Sequence, residues 1–240
     1  MVRRPVSLMQ LISQTGKERN MSKRIIMVLC IALLVVSFAA ARVINISVGP
    51  SIGFFTGKAQ FVEGQEGLTK VQGLAFGADV AFDLTFGEKA EIYIQNSFLF
   101  NTKCPYPDMA EGNKAMYNFA TMDIKGHVGF EYAVLTTPVK LSVGGGVAYE
   151  IIAALLQNKN NTDTGRLDMV LNVGLGATVK VEYQLGKNFS AYAKAYVDYL
   201  PVTAAVTTAI PAPEGYEPKA FGGNYNNFSV DGSVGIIFHF

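Results

Sequence analysis

The chain has 240 residues with 20 basic and 19 acidic side chains, and a net charge of +1 gives nucleic acid or an anionic surface nothing to hold. Half of it is hydrophobic and only 16% charged, a low share for a soluble globular domain. Cys30 and Cys104 are its only cysteines, and Cys30 lies in an N-terminal apolar run, so a disulfide framework is excluded.

Taken from the start, residues 1–20 read as a leader. Gly16, Lys17, Glu18, Arg19 and Asn20 can be encoded by codons that spell a purine-rich ribosome-binding site just before the Met21 codon, so translation is expected to begin at Met21. Residues 21–41 then carry the three parts of a secretory signal: basic Lys23 and Arg24, an apolar core over 25–38, and the small run Ala39, Ala40, Ala41. That core is short of the roughly 20 residues that span a bilayer as a helix. Cleavage is expected after Ala41, leaving 42–240 as one domain in which Cys104 has no partner.

Beyond Arg42, apolar residues alternate with small or polar ones at a period of two, the mark of a strand with two unlike faces. The first strand sets Ile44, Ile46, Val48, Ile52 and Phe54 against Asn45, Ser47, Gly49, Ser51 and Gly53, with Pro50 interrupting its ladder. The second sets Leu74, Phe76, Val80, Phe82 and Leu84 against Gly73, Gly77, Asp79 and Asp83. The third sets Ile92, Ile94, Phe98 and Phe100 against Glu91, Tyr93, Gln95 and Ser97. The fourth sets Met122, Ile124, Val128, Phe130 and Tyr132 against Asp123, Lys125, His127 and Glu131.

The second half repeats the design. The fifth strand alternates Val139, Leu141, Val143, Val147, Tyr149 and Ile151 with Lys140, Ser142, Gly144, Gly146 and Glu150. The sixth sustains it over 167–183, with Asp168, Asn172, Thr178, Lys180 and Glu182 on the polar row. The seventh sets Phe189, Ala191, Ala193, Ala195, Val197 and Tyr199 opposite Ser190, Lys194 and Asp198. The eighth begins near Phe228 and closes the chain on Val234, Ile236, Phe238 and Phe240, alternating with Asp231, Ser233, Gly235 and His239.

Short connections follow strands two, four and six; long irregular ones follow strands one, three, five and seven. Alternating runs of about ten residues joined in that way are the pattern of a transmembrane β-barrel. A secreted sandwich would also alternate. Here, however, the polar row is rich in Gly, Ala and Ser and the apolar row almost lacks charge. Tyr132, Tyr149, Tyr183, Phe189 and Tyr199 collect towards the ends of the rows, as an aromatic girdle at the lipid–water boundary would. The expected fold is therefore all-β: an eight-stranded antiparallel transmembrane up-and-down β-barrel preceded by a signal peptide. Its interior would hold Asp79, Asp83, Glu91, Lys125, His127, Glu131, Lys140, Glu150, Asp168, Lys180, Glu182, Lys194, Asp198 and Asp231.

A ring of eight strands is just wide enough for side chains to fill, and ionised groups inside it must be paired or hydrated. Two interiors remain open: a salt-bridged plug, or a narrow acid-lined path favouring cations, with inward glycines such as Gly53, Gly144 and Gly176 leaving room. Catalytic signals are weak. His127 has no neighbouring serine, and a nucleophile needs a base within hydrogen-bond reach. Two histidines and one thiol make no zinc set, and Gly144, Gly145 and Gly146 lie mid-strand rather than in a phosphate loop. No enzyme activity, metal or cofactor is expected.

The closing residues Val234, Ile236, Phe238 and Phe240 resemble the C-terminal assembly signal of bacterial outer-membrane proteins. The whole of 42–240 resembles the small barrels of the OmpA-barrel, OmpX and OmpW kind. That resemblance implies residence in the bacterial outer membrane, contact with its lipid, and handling by periplasmic chaperones and the barrel-assembly machinery. Two alternative roles follow, the first from the resemblance and the second from the long loops. One is OmpW-like passage of small hydrophobic molecules, with the apolar stretch VTAAVTTAIPAP of the last long loop at an entrance. The other is a surface-exposed adhesin or structural envelope protein with a plugged barrel, whose loops bind host surface molecules.

Overall fold

Strands with one apolar face still carry unpaired N–H and C=O groups along both edges, and closing the sheet on itself removes every edge. The structure, a computed structural model, describes residues 43–61, 68–109, 111–211 and 219–240. The leader and signal segment expected over 1–41 lie outside them. Eight antiparallel strands form a closed ring in chain order: β1 (Val43–Ala59), β2 (Thr69–Phe86), β3 (Ala90–Asn101), β4 (Tyr117–Leu135), β5 (Val139–Asn158), β6 (Gly165–Gln184), β7 (Phe189–Ile210) and β8 (Lys219–His239). A short helix, α1 (Glu111–Met116), leads into β4.

The strands exceed the ten-residue runs expected from the alternation: β5 has 20 residues and β7 has 22, while β3 has 12. Twenty residues at about 3.3 Å each, tilted by about 40°, rise roughly 50 Å, twice the apolar band of about 25 Å that such barrels present to lipid. The added length lies at the long-connection end. Residues 202–210, expected within a loop, form the upper half of β7, paired with β6 as far as Gly165↔Ile210 and with β8 as far as Thr207↔Lys219. Its Val and Thr residues suit a pleated ladder once partners exist on both sides. Ala212 and Pro213 of the same stretch lie outside the described residues.

Ring closure falls between β1 and β8, over Asn45↔His239 to Val48↔Ile236 and Ser51↔Ser233 to Thr56↔Phe228. The register skips Gly49 and Pro50, where proline has no N–H to donate. A Cβ at Gly49 would lie 1.9 Å from the Val234 carbonyl oxygen, so only glycine allows the two backbones to approach there. The end of the chain completes the seam: the Phe240 N–H donates to the Ile44 carbonyl at 3.0 Å.

Outward positions are apolar and open, among them Ile52, Phe76, Phe82, Phe98, Phe130, Val147, Leu175, Val197 and Val230. So large an exposed apolar surface calls for lipid or a partner. Tyr132, Tyr183 and Phe189 are exposed beside the short turns, and Phe189 pairs with Phe238. Tyr149 and Tyr199 stand mid-strand. The Tyr149 hydroxyl donates to Asn96 at 2.6 Å, satisfying an amide on the outer face, and the Tyr199 hydroxyl donates to Asn226 at 2.8 Å.

Candidate functional site: the barrel interior and its mouth

Inward residues of neighbouring strands meet at the same height because the register brings them together. Twelve of the expected interior residues are at most 5% exposed: Asp79, Asp83, Glu91, Lys125, His127, Glu131, Glu150, Asp168, Lys180, Lys194, Asp198 and Asp231. Lys140 and Glu182 lie at the rim, with side chains 19% and 11% exposed.

Near the short turns the interior is ionic and closely paired. Lys180 Nζ lies 2.5 Å from Glu91, 3.0 Å from Glu131 and 3.1 Å from Asp83. Lys140 bonds to Glu91, while Lys194 reaches Glu131 at 2.6 Å and stands over the rings of Tyr93 and Tyr196. Three ammonium groups thus meet Asp83, Glu91 and Glu131, with Glu182 4.0 Å from Lys140 at the rim, and Glu131 lies between Lys180 and Lys194, which face each other across the sheet. Asp79 accepts hydrogen bonds from Gln95 and Tyr192, both at 2.7 Å. Tyr192 and Tyr196 escaped the sequence reading, although they occupy the same row as Ser190, Lys194 and Asp198.

The floor beneath this layer brings together a set of residues that sequence reasoning did not connect. His239 Nε2 lies 2.8 Å from Ser190 Oγ, and its Nδ1 lies 2.8 Å from Asn45 Oδ1. The order serine, imidazole, amide is that of a nucleophile, its base and an orienting group. Ser190 is fully buried, however, and offers no face to a substrate. The trio ties β1, β7 and β8 together at the closing end of the barrel.

Midway, Lys125 bonds to Asp231, donates to Ser229 at 2.5 Å, and lies 3.6 Å from both Asp123 and Glu150. The His127 ring stacks on Tyr196, with centroids 4.3 Å apart, and faces Asp198 and Asp231. The glycines expected to leave room leave it to these side chains. A Cβ at Gly53 would lie 2.4 Å from Leu99 and 2.6 Å from Asp231, and one at Gly176 would lie 2.2 Å from Asp198. Above them, Asn172, Thr203 and Asn227 form a neutral relay onto Glu150.

The long-connection half differs from the hydrophilic interior the alternation implies. There the inward face is apolar: Phe55, Val71, Ile152, Ala154, Leu156, Val170 and Ala205 pack with Phe61 and Tyr106 from the connections. The signal lay in doubled apolar residues, Phe54-Phe55, Ile151-Ile152 and Leu155-Leu156, where both rows turn apolar together. The inward side chains and the two connections bury one another there, giving this half an apolar core of its own. Where the ionic and apolar halves meet, a cavity of about 10 Å³ between Phe55, Glu150, Ile152, Asn172 and Asn227 admits at most a single water.

The β3–β4 connection closes the mouth. The Tyr106 hydroxyl donates to Asp168 at 2.6 Å, and Asp168 also accepts from Thr207 at 2.6 Å and from Arg166 at 2.7 Å. Burial, with the Asp168 carboxylate beside it, pushes the Tyr106 phenol above its ordinary range, so it stays a donor. Half-buried Cys104 and Met109 of the same connection pack against the apolar core. Clefts of about 280 and 340 Å³ flank it, both lined by Met109 and Arg166. On the outer wall, an apolar notch of about 430 Å³ opens at the seam beside Pro50, between Ile52, Phe76, Ala193 and Val234, with Ser51, Ser233 and Lys194 also lining it.

No protein-family model matches this sequence, and no curated protein matches it. Solved structures do match in fold. A major outer membrane protein of Thermus thermophilus aligns with a TM-score of 0.51 at 14% identity, over 80% of this chain and 99% of that one. OprG, an outer membrane protein of Pseudomonas aeruginosa, aligns with a TM-score of 0.50 at 12% identity, over 84% of this chain and 97% of that one. With its eight strands closed in sequence order, its apolar exterior and its filled interior, the chain has the fold of the small outer-membrane β-barrels.

Proposed function

We propose that the protein is exported by its 21–41 signal and resides in the bacterial outer membrane as a plugged barrel, with its outer mouth as the working surface. Of the two roles expected from the sequence, the filled interior favours the structural or surface-interaction role over an axial channel. A single observation carries this reading: close ion pairs, a mid-barrel charge cluster and an apolar cap follow one another along the axis, with a cavity of about 10 Å³ where the last two meet. An ion crossing would have to break buried pairs whose loss costs about 3–5 kcal/mol each. In this reading the short turns face the periplasm. Tyr132, Tyr183 and Phe189 anchor the inner boundary of the lipid, and Val234, Ile236, Phe238 and Phe240 present the closing strand to the assembly machinery. The clefts beside Met109 and Arg166 are the surface offered to host or envelope molecules. No part of this role asks for enzymatic chemistry. Purified protein in planar bilayers is expected to show no discrete conductance steps, and reproducible steps would end the plugged-barrel reading.

The notch at Pro50 supports a second reading, sideways passage of small hydrophobic molecules between lipid and the wall in the OmpW manner. It is apolar, lies on the lipid-facing side, and sits where the β1–β8 ladder is interrupted. Pro50→Ala, which lets the ladder continue, would lower uptake of small apolar solutes if this route operates and leave it unchanged otherwise.

A further inference from the structure

The two buried ionic layers differ in charge. Near the turns three ammonium groups face Asp83, Glu91, Glu131 and, at the rim, Glu182, but among the described residues mid-barrel Asp123, Glu150, Asp198 and Asp231 face one ammonium, Lys125, and the imidazole of His127. Four buried carboxylates cannot rest on one ammonium, because unpaired buried charge is expensive. The layer calls for further positive charge.

We propose that His127, Asp198 and Asp231 form a buried binding site for a divalent metal ion, with zinc the best match. One ligand atom from each lies within 4.8 Å of the others. His127 Nδ1 is 3.5 Å from Asp198 Oδ1, and Nε2 is 3.8 Å from Asp231 Oδ2. The second distance is too long for a hydrogen bond. Donors about 2.1 Å from zinc stand roughly 3.4 Å apart at the tetrahedral angle, so each separation suits one pair of ligands; because an ion takes a single ring nitrogen, the second carboxylate must draw in from within 4.8 Å to complete the set.

The polar atoms themselves point to a ligand. His127 is 1% exposed, and its Nε2, with Asp198 Oδ1 and Asp231 Oδ2, makes no hydrogen bond among the described residues. Fifteen buried side-chain polar atoms make no hydrogen bond among the described residues, and three of them belong to the histidine and two carboxylates whose ligand atoms gather within 4.8 Å. The surroundings hold these groups in place. Tyr196 stacks on the imidazole, and Lys125 occupies the other oxygen of Asp231, leaving Oδ2 free. Gly176 keeps the approach open, because a Cβ there would lie 2.2 Å from Asp198 Oδ1 and 3.3 Å from His127 Nδ1.

One neutral imidazole and two carboxylates make a borderline donor set of the kind zinc accepts, with a fourth tetrahedral position left for water. A divalent ion would cancel two of the three uncompensated negative charges, leaving one proton to complete the balance. The competing arrangement neutralises the excess with protons, on the imidazole and on the carboxyls, and would retain no zinc. The site is sealed from both ends, so the ion enters while the barrel folds.

The test is to fold the full chain into detergent micelles with excess zinc sulfate, wash with EDTA, and measure metal in the folded, heat-modifiable fraction. The expected result is about one zinc per barrel, and below about a tenth of that for His127→Gln and for Asp198→Asn. Asp79→Asn, a buried carboxylate outside the cluster, should retain the wild-type content. Zinc should also raise the unfolding temperature of the wild type and not that of His127→Gln. Should the variants fail to fold, cobalt-loaded wild type decides: visible bands of tetrahedral nitrogen–oxygen ligation support the site, and their absence overturns it. Wild type that folds without retaining zinc, or His127→Gln that retains it fully, also overturns it.

Discussion

Lys180 tests the ionic layer most directly. Its ammonium touches three carboxylates between 2.5 and 3.1 Å away, and the residue is 2% exposed. Lys180→Met keeps much of the length of the side chain and removes its charge, so the loss is electrostatic rather than a cavity. Glu91 would keep Lys140 and Glu131 would keep Lys194, but Asp83 would lose the donor to its Oδ2, and its Oδ1 already lacks a hydrogen bond. Removing one member of a buried pair costs about 3–5 kcal/mol. With a urea slope of about 2 kcal/mol/M, the unfolding midpoint should fall by about 1.5–2.5 M. The measurement is a urea titration of protein folded in detergent, with the heat-modifiable band reporting the folded fraction. Lys180→Met with Asp83→Asn leaves Glu91 on Lys140 and Glu131 on Lys194, removes the stranded carboxylate, and should recover at least half of the loss. A single variant within about 0.5 M of wild type would refute the reasoning, as would a double variant weaker than Lys180→Met alone.

Three further outcomes follow from other parts of the barrel. Tyr106→Phe removes a bond to a carboxylate worth about 1.5–3 kcal/mol, so trypsin should cut the 102–116 connection of the folded protein at Lys103 or Lys114 roughly tenfold faster or more; an unchanged rate would count against Tyr106 as the latch of the mouth. Gly49→Ala places a Cβ against the Val234 carbonyl, and the seam must part at a cost of about 1–3 kcal/mol or more, seen as a reduced folded band. Gly112→Ala, with open space around its Cβ, is the control that should fold like wild type. Deleting Phe240 removes one seam hydrogen bond and the terminal aromatic, so folding into detergent should be nearly normal while outer-membrane yield in cells falls severalfold; equal yield would remove Phe240 from the assembly signal.

Periodicity is a local property, and it carried a great deal. A period of two states which residues share a face, so the eight strands, their order and the common side of Asp83, Lys125, His127, Lys180 and Asp231 were legible in the chain itself. Where the alternation weakens it misleads. Residues 202–210 look like an apolar loop by themselves, yet they become strand because β6 and β8 supply ladders on both sides. Doubled apolar residues such as Ile151-Ile152 hinted that the upper interior turns dry, but alternation cannot say at what height a wall leaves the lipid.

Partnership across the ring was beyond reach of the sequence. Lys180 meets Asp83 from 97 residues away, and His239 meets Asn45 from 194. A count of histidines and cysteines argued against a metal, because the carboxylates that join His127 arrive from β7 and β8. The amino-acid order by itself determined what each strand offers to its two faces, since that follows from backbone geometry residue by residue. Only the closed barrel decided which offerings meet, because height on the wall depends on register and tilt, and those belong to the ring and to no single strand.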